Sequence, residues 1–479
     1  MSAIPTARDQ RSRPGWTLAL TSVAFFMTAL DTLVVITALP AIHRELGGSV
    51  STLEWTVNAY LLAFAAGIIP AAALGDRLGR RRVYTLGLAL FTAGSAACAL
   101  APSPAVLIAA RAIQGLGAAV VTPLSLTLLT AAFRPQRRGA IVGIWGGIAG
   151  LAVAGGPLVG GAVTEGLDWH WIFWVNVPIG VAAAALSMVR LTESRGPATH
   201  LDLPGVALVA AGTGALAWGL VRAADAGFGS AQVASALGLG AFLLAGFVAW
   251  ELRSDAPMLP PRLFRLPGFA AANAVGFLMT ASLMAAAFLA SEYFQLGLGF
   301  SPLGTGLRFL PWTATALLVA PAAGALADRI GPRPVMLAGM LVQGVGLAWF
   351  AAAAGVDSGY GSLVIALVVA GVGVSMVLPA APTAALGAVP PADMGKASGA
   401  ISTVQRLGGA FGIAVTTAVF TANGHLGSPE AVTAGFKPAL AVCAGASMLG
   451  ALAALLVGSR RGATATATPA EVWEAAASG

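Results

Sequence analysis

Asp31 is the one charged residue in an otherwise apolar run, 16–39. A carboxylate within a membrane span costs several kcal/mol when ionised and unpaired, so such groups usually face a cavity or a proton path. Asp31 is therefore expected to take up and release a proton. The alternatives are an acid that snorkels to the interface and one held permanently by hydrogen bonds. Arg111 and Gln114 in RAIQGLGAA project from nearly one helix face. At 1.5 Å per residue, Asp31 lies roughly 22 Å from the inner end of its span, about 8–10 Å below the outer surface, and Arg111 lies roughly 9 Å below that surface. The shared level predicts a buried network of Asp31, Arg111 and Gln114. Arg111 has the alternative role of a tether to backbone carbonyls, and Gln114 that of an interhelical packing residue.

Asp31 and Gln114 are also candidates for a substrate cavity, together with other residues in apolar surroundings: Trp145, Glu292, Tyr293, Gln295 and Arg406. Glu292 sits near the outer end of its span, as an ordinary interfacial acid also would, and Glu54 and Glu165 invite the same question. Trp145, Trp169, Trp171 and Trp174 fit a drug pocket or the usual aromatic anchors at the interface. Asp76, Arg77, Gly79 and Arg80 occupy a short charged loop, ALGDRLGRRR (73–82), expected to gate. ALADRIGPRP (325–334) repeats it, making Asp328, Arg329 and Arg333 the counterparts. Only four histidines occur, and none is expected to join an acid or metal cluster. No metal, cofactor or nucleotide-binding P-loop is indicated.

These residues must be positioned by membrane helices. The chain is 57% apolar and 9% charged, with mean hydropathy +0.84, too few charges to cover a soluble protein of this length. Apolar runs long enough to cross the bilayer lie near 16–39, 54–74, 83–101, 105–131, 140–163, 171–190, 205–221, 231–250, 269–291, 305–326, 335–354, 361–388, 398–421 and 438–458. The first is too long for a signal peptide and reads as a retained span. With a cytoplasmic N-terminus, the inner segments hold 20 of the 26 basic residues: Arg8, Arg11, Arg13, Arg77, Arg80, Arg81, Arg82, Arg134, Arg137, Arg138, Arg190, Arg195, Arg253, Arg262, Arg265, Arg329, Arg333, Lys396, Arg460 and Arg461. The outer segments hold Arg44, Arg222, Arg308 and Lys437. This is the positive-inside pattern, with both termini cytoplasmic, and it accounts for the pI of about 10.2 without nucleic acid. Cys98 and Cys443 fall within apolar runs and suggest neither a disulfide nor a zinc site. The expected organisation is an N-terminal six-helix bundle (1–200), an inserted helix pair (201–255), a C-terminal six-helix bundle (256–461) and a disordered cytoplasmic tail (462–479). Parallel repeats of this kind build a central site that opens alternately to either side.

Six stretches together resemble the major facilitator superfamily, specifically its fourteen-span drug:proton antiporter branch, over nearly the whole chain. They are LDTLVVITALP (30–40), RAIQGLGAA with Arg111, Gln114, Gly115 and Gly117, GGPLVGG (155–161), WHWIFWVNVPIG (169–180), SPLGTGLRFLP (301–311) and GKASGAISTVQRLGGAFGIAV (395–415). The resemblance implies an all-α integral membrane protein of the major facilitator fold, two six-helix bundles plus two extra helices. It implies export of hydrophobic or monocationic compounds in exchange for protons, from the bacterial cytoplasmic membrane and without a cofactor. Asp31 would serve proton and drug, Arg111 would couple them, and Gly156, Pro157, Gly160 and Gly161 would seal the cavity against proton leak. The chain would work as a monomer. Ala72 stands where the loop motif begins with Gly, and Pro332 replaces a basic residue in the second copy. No acid lies within 305–326, against strongly dicationic substrates. A narrow exporter of one metabolite, and a membrane sensor that keeps the fold without transport, are the competing expectations.

Overall fold

The computed structural model describes residues 14–133, 148, 151–152, 155–195, 202–227, 229–254, 257, 261–390 and 393–458. These residues form helices and connecting turns, with no strand among them. In chain order they are α1 (Pro14–Leu46), α2 (Val50–Leu78), α3 (Arg80–Ala99), α4 (Pro104–Ala132), α5 (155–166), α6 (Trp171–Arg190), α7 (Leu203–Ala226), α8 (Ala231–Glu251), α9 (Pro267–Gly297), α10 (Pro302–Ile330), α11 (Pro332–Ala353), α12 (Tyr360–Gly387), α13 (Met394–Asn423) and α14 (Pro429–Ala454).

Nine of the described helices are long and apolar enough to cross a membrane, ten if α2, bent by 47° near Pro70, is one span. α3 and α13 are diluted by Gly, Ser and Thr, α5 is described over 12 residues, and the apolar part of α7 is Leu203–Leu216. Phe242, Val189 and Leu318 are 73%, 76% and 80% exposed. Large side chains bared in this number require lipid as their solvent.

Proline opens several helices at a position where its missing N–H costs nothing: Pro104 in α4, Pro267 in α9, Pro302 in α10, Pro332 in α11 and Pro429 in α14. Ser301 and Ser428 accept hydrogen bonds from Gly304 N and Ala431 N at 3.0 and 3.3 Å, capping α10 and α14. The repeated loops share one turn. Gly79 (φ 111°) donates to Gly75 O and Gly331 (φ 90°) to Ala327 O, each ending one helix and starting the next. That positive φ is the reason for glycine at both places.

α1, α2, α3, α4 and α6 pack among themselves, as do α9 to α14. α7 pairs with α8 and also lies against α2 and α13. The two halves meet along α2–α13 and along α1–α9. Cross-half hydrogen bonds cluster at the arginine-poor end. Ser291 Oγ donates to Ile36 O at 2.9 Å and Gln295 Nε2 to Thr37 O at 2.8 Å. Leu303 N donates to Glu165 Oε2 at 2.8 Å. At the arginine-rich end the ion pairs stay within one half: Arg80 with Asp76, Arg81 and Arg82 with Glu193, and Arg262 with Asp393. Among the described residues one further cross-half hydrogen bond, Thr403 Oγ1 to Ala65 O at 3.4 Å, joins α13 to α2, so the arginine-poor end is the more heavily fastened of the two.

Candidate functional site

The residues that come together midway through the N-terminal half are Asp31 (α1), Thr56 and Tyr60 (α2), Ser95 (α3), Arg111 and Gln114 (α4), and Asn176 (α6). Asp31 is 3% exposed and Arg111 and Gln114 are fully buried. Arg111 Nη1 donates to Asp31 Oδ2 at 2.5 Å and to Gln114 Oε1 at 2.7 Å. Gln114 Nε2 and Asn176 Nδ2 donate to Asp31 Oδ1 at 2.8 and 3.2 Å. Both amides also donate to Ser95 Oγ, each at 3.2 Å. Arg111 Nε is tied to Thr56 O at 3.1 Å, and its Cζ lies 4.2 Å from the Tyr60 ring centroid. Small residues permit this approach: Gly115 lies against the Tyr60 carbonyl, where a β-carbon would not fit.

The donors are one-sided. Three N–H groups point at the Asp31 oxygens, and an ionised carboxylate can only accept. The arrangement therefore suits an acceptor-only, ionised Asp31. A proton on Asp31 would remove the charge that strengthens these bonds, the shortest of which is made by Arg111. Arg111 grips the acid and a backbone carbonyl at once.

Tyr60 and Phe64 meet edge-on at 5.8 Å, and the Arg406 guanidinium lies 4.2 Å over Phe64. An aromatic pair on α2 is thus held between Arg111 of its own half and Arg406 of the other. Arg406 makes no hydrogen bond or ion pair among the described residues.

Several expected site residues lie elsewhere. Glu292, Tyr293 and Gln295 do not line an open cavity here but belong to the fastened end. Gln295 bonds α1, and Tyr293 donates to Gly355 O at 2.7 Å while its ring stacks on Phe436 at 4.3 Å. Trp145 lies outside the described residues. Gly156 packs on Leu33, Gly160 on Val34 and Thr37, and Gly161 on the Pro302 carbonyl. Gly306 in turn meets the Pro157 carbonyl, so α5 and α10 touch backbone to backbone.

In the first loop Arg80 Nε donates to Asp76 Oδ1 at 2.8 Å, and Arg81 N and Arg82 N bind Glu193 at 3.0 and 3.3 Å. Gly79 lies against that same Glu193 carboxylate, while Arg77 is exposed. The expected counterpart pairing is absent among the described residues. Asp328 and Arg329 are exposed and Arg333 is half-buried, with no ion pair. Pro332 occupies the place of Arg80, so Asp328 has no cation one turn on. Asp76 and Arg80 are both partly exposed (24% and 19%). Asp76→Asn is therefore expected to lower stability by under about 1 kcal/mol, as seen by thermal unfolding in detergent.

One histidine does gather acids, against expectation. His170 Nδ1 lies 2.5 Å from Asp168 Oδ1 and its Nε2 lies 3.7 Å from Glu45 Oε1, while Trp169 Nε1 donates to Glu45 Oε2 at 2.7 Å. This exposed cluster ties the turn before α6 to the end of α1. Ser95, Tyr60 and Asn176 were not singled out in the sequence; the lone Asn in WHWIFWVNVPIG was the available signal.

The Major Facilitator Superfamily model matches residues 21–289 and 270–478. The chain belongs to that superfamily. The facilitator is 38% identical over 437 residues to the cephamycin export protein CmcT of Amycolatopsis lactamdurans, covering 89% of each chain. It is 33% identical over 411 residues to the tetracenomycin C resistance and export protein of Streptomyces glaucescens, covering 85% of this chain and 76% of that one. The puromycin resistance protein pur8 of Streptomyces alboniger is 32% identical over 98% of both chains. Among solved structures, a POT family transporter in complex with a thioalcohol-conjugated peptide superposes with a TM-score of 0.69 at 16% identity, over 92% of this chain and 95% of the other. That likeness speaks to the fold alone. This facilitator is a multi-pass membrane transporter of the drug-exporting kind, not an enzyme.

Proposed function

We propose that this facilitator exports antibiotic-like compounds from the bacterial cytoplasm in exchange for protons, by alternating access, and that Asp31 is the proton carrier. The observation that carries the reading is the donor-only ring around the buried Asp31, whose charge-assisted bonds a proton would weaken. The basic-residue asymmetry supports placing the arginine-rich end in the cytoplasm, with about fourteen crossings divided at 1–200, 201–255 and 256–461. The fastened end is then the outer one. The arrangement, outer side closed and Asp31 ionised, suits a state that has discharged its proton inward and can load substrate. Gly156, Pro157, Gly160 and Gly161 serve the outer seal, and the Asp76–Arg80 loop serves the inner gate. A monomer holds every part this cycle uses.

Inside-out vesicles energised with a proton gradient test the reading. Compounds named for the relatives (cephamycin, tetracenomycin C, puromycin) form the first panel. A substrate should release protons from the vesicle lumen, and a panel that moves no protons overturns the proposal. Several relatives are named for a single antibiotic, which favours a narrow specificity, and the breadth of response in the same panel measures it.

Arg406 bears on substrate charge. An unpaired cation where the halves meet repels a monocationic compound and offers donors to an uncharged or acidic one. Arg406→Gln is expected to raise export of a monocationic compound about tenfold relative to its neutral analogue, a difference of about 1.4 kcal/mol in transition-state stabilisation. Competition between matched congeners in vesicles reads that ratio.

A further inference from the structure

Glu292 occupies an unusual position. It lies on α9 between Ser291 and Gln295, the two residues that bond α1 across the fastened end. It is 2% exposed, and among the described residues neither carboxyl oxygen has a hydrogen-bond partner. The helix widens into a π-turn, Tyr293–Gly297, immediately after it. Tyr293 pins that turn through Gly355 and Phe436. The carboxyl is thus carried on a fixed turn into a sealed place.

No charged group answers it from the elements packed around it. On α1, Asp31 is committed to Arg111, Gln114 and Asn176, His43 is half-buried with its Nδ1 unpartnered among the described residues, and Arg44 and Glu45 are exposed, with Glu45 bound to Trp169. On α10, Arg308 Nη1 donates to Gly304 O and its Cζ lies 3.6 Å over Phe300; on α12, Tyr360 donates to Arg308 O. Asp357 before α12 and Glu430 and Lys437 on α14 are exposed. On α13, Arg406 lies over Phe64. A carboxylate ion with neither partner nor water is too costly to keep there.

We propose that Glu292 is a second proton-binding site, loaded from the outer side, and that its proton is the condition for closing that side. The proposal rests on the alternating-access reading with the arginine-poor end outward. When that end opens, Ser291 and Gln295 leave α1, water reaches Glu292, and the carboxyl can give its proton to the outer solution. To close, the carboxylate takes a proton back from outer hydronium, leaving water, and enters the seal uncharged. This proton returns to the side it came from, so it gates the cycle without adding to the protons exchanged through Asp31. The outer turn thereby waits for an acidic exterior before it shuts.

The experiment uses the full chain in liposomes, with its buried cysteines replaced (Cys98→Ala, Cys443→Ala) and spin labels at Leu167→Cys and Asn423→Cys. In the otherwise unaltered protein the inter-label distance should lengthen as outer pH rises. The exchange rate should fall by up to about tenfold per pH unit on its alkaline limb, the slope of one proton. Glu292→Gln should stay short at every pH and lose that limb, while Asp31→Asn keeps the distance response. A Glu292→Gln protein that still opens with rising pH overturns the proposal. Should that variant fail to fold, infrared difference spectra of the unsubstituted protein decide. A protonated-carboxyl band from carbon-13-labelled glutamate must persist in the closed form, and its absence also overturns the proposal. Since the distances are read without transport, failure here is separable from failure of the exporter reading.

Discussion

Vesicles carrying Asp31→Asn are expected to show no substrate-driven proton release and no accumulation against a gradient, a loss of at least about 100-fold in coupled transport. The reason lies in the hydrogen-bond directions. Asn at this place offers one acceptor and one amide donor to a ring of three donors. If its oxygen faces Arg111, its NH2 meets Gln114 and Asn176; if it is turned over, the NH2 meets Arg111. Neither orientation satisfies every partner, and neither can cycle a proton. Full proton-coupled export by Asp31→Asn would remove this residue from the mechanism.

Arg111→Gln should be the more damaging change to the fold. Its guanidinium is fully buried and holds together α1, α2 and α4 through Asp31, Thr56 and Gln114. Removing one partner of a buried ion pair leaves the other charge stranded, at about 3–5 kcal/mol. Asp31→Asn together with Arg111→Gln removes both charges and should be more stable than Arg111→Gln alone. A double-mutant cycle in detergent unfolding then yields a coupling energy. Strict additivity of the two changes would mean that the pair is not energetically joined. Even where the double variant regains stability, it should remain inert in proton release.

The helical layout and the Asp31–Arg111–Gln114 contact follow from features a sequence displays openly. Apolar run length marks a span, and counting residues inward from each end places two polar groups at one depth. Ser95 and Asn176 carry no such mark, because Ser and Asn enter membrane helices for many reasons and only packing shows which face they take. Glu292 misleads by counting alone. It falls near the end of its apolar run, as an interfacial acid would, yet the π-turn and the contact with α1 bury it. The repeat predicts two equivalent charged loops, but Pro332 removes the side chain that closes the first, so identical Asp-Arg-x-Gly cores reach different ends. Cavity lining was the least legible, since it depends on which side of the molecule is closed.

The contact between α5 and α10 has a kinetic consequence. Gly161 rests on the Pro302 carbonyl and Gly306 on the Pro157 carbonyl, with the Glu165 side chain bonded to Leu303 N beside them. Two smooth backbones pressed together behave as a bearing. Once Glu165 lets go of Leu303 N, they can slide or roll apart without any knob having to climb out of a hole. A methyl group at either glycine would overlap the opposing carbonyl and wedge this contact open.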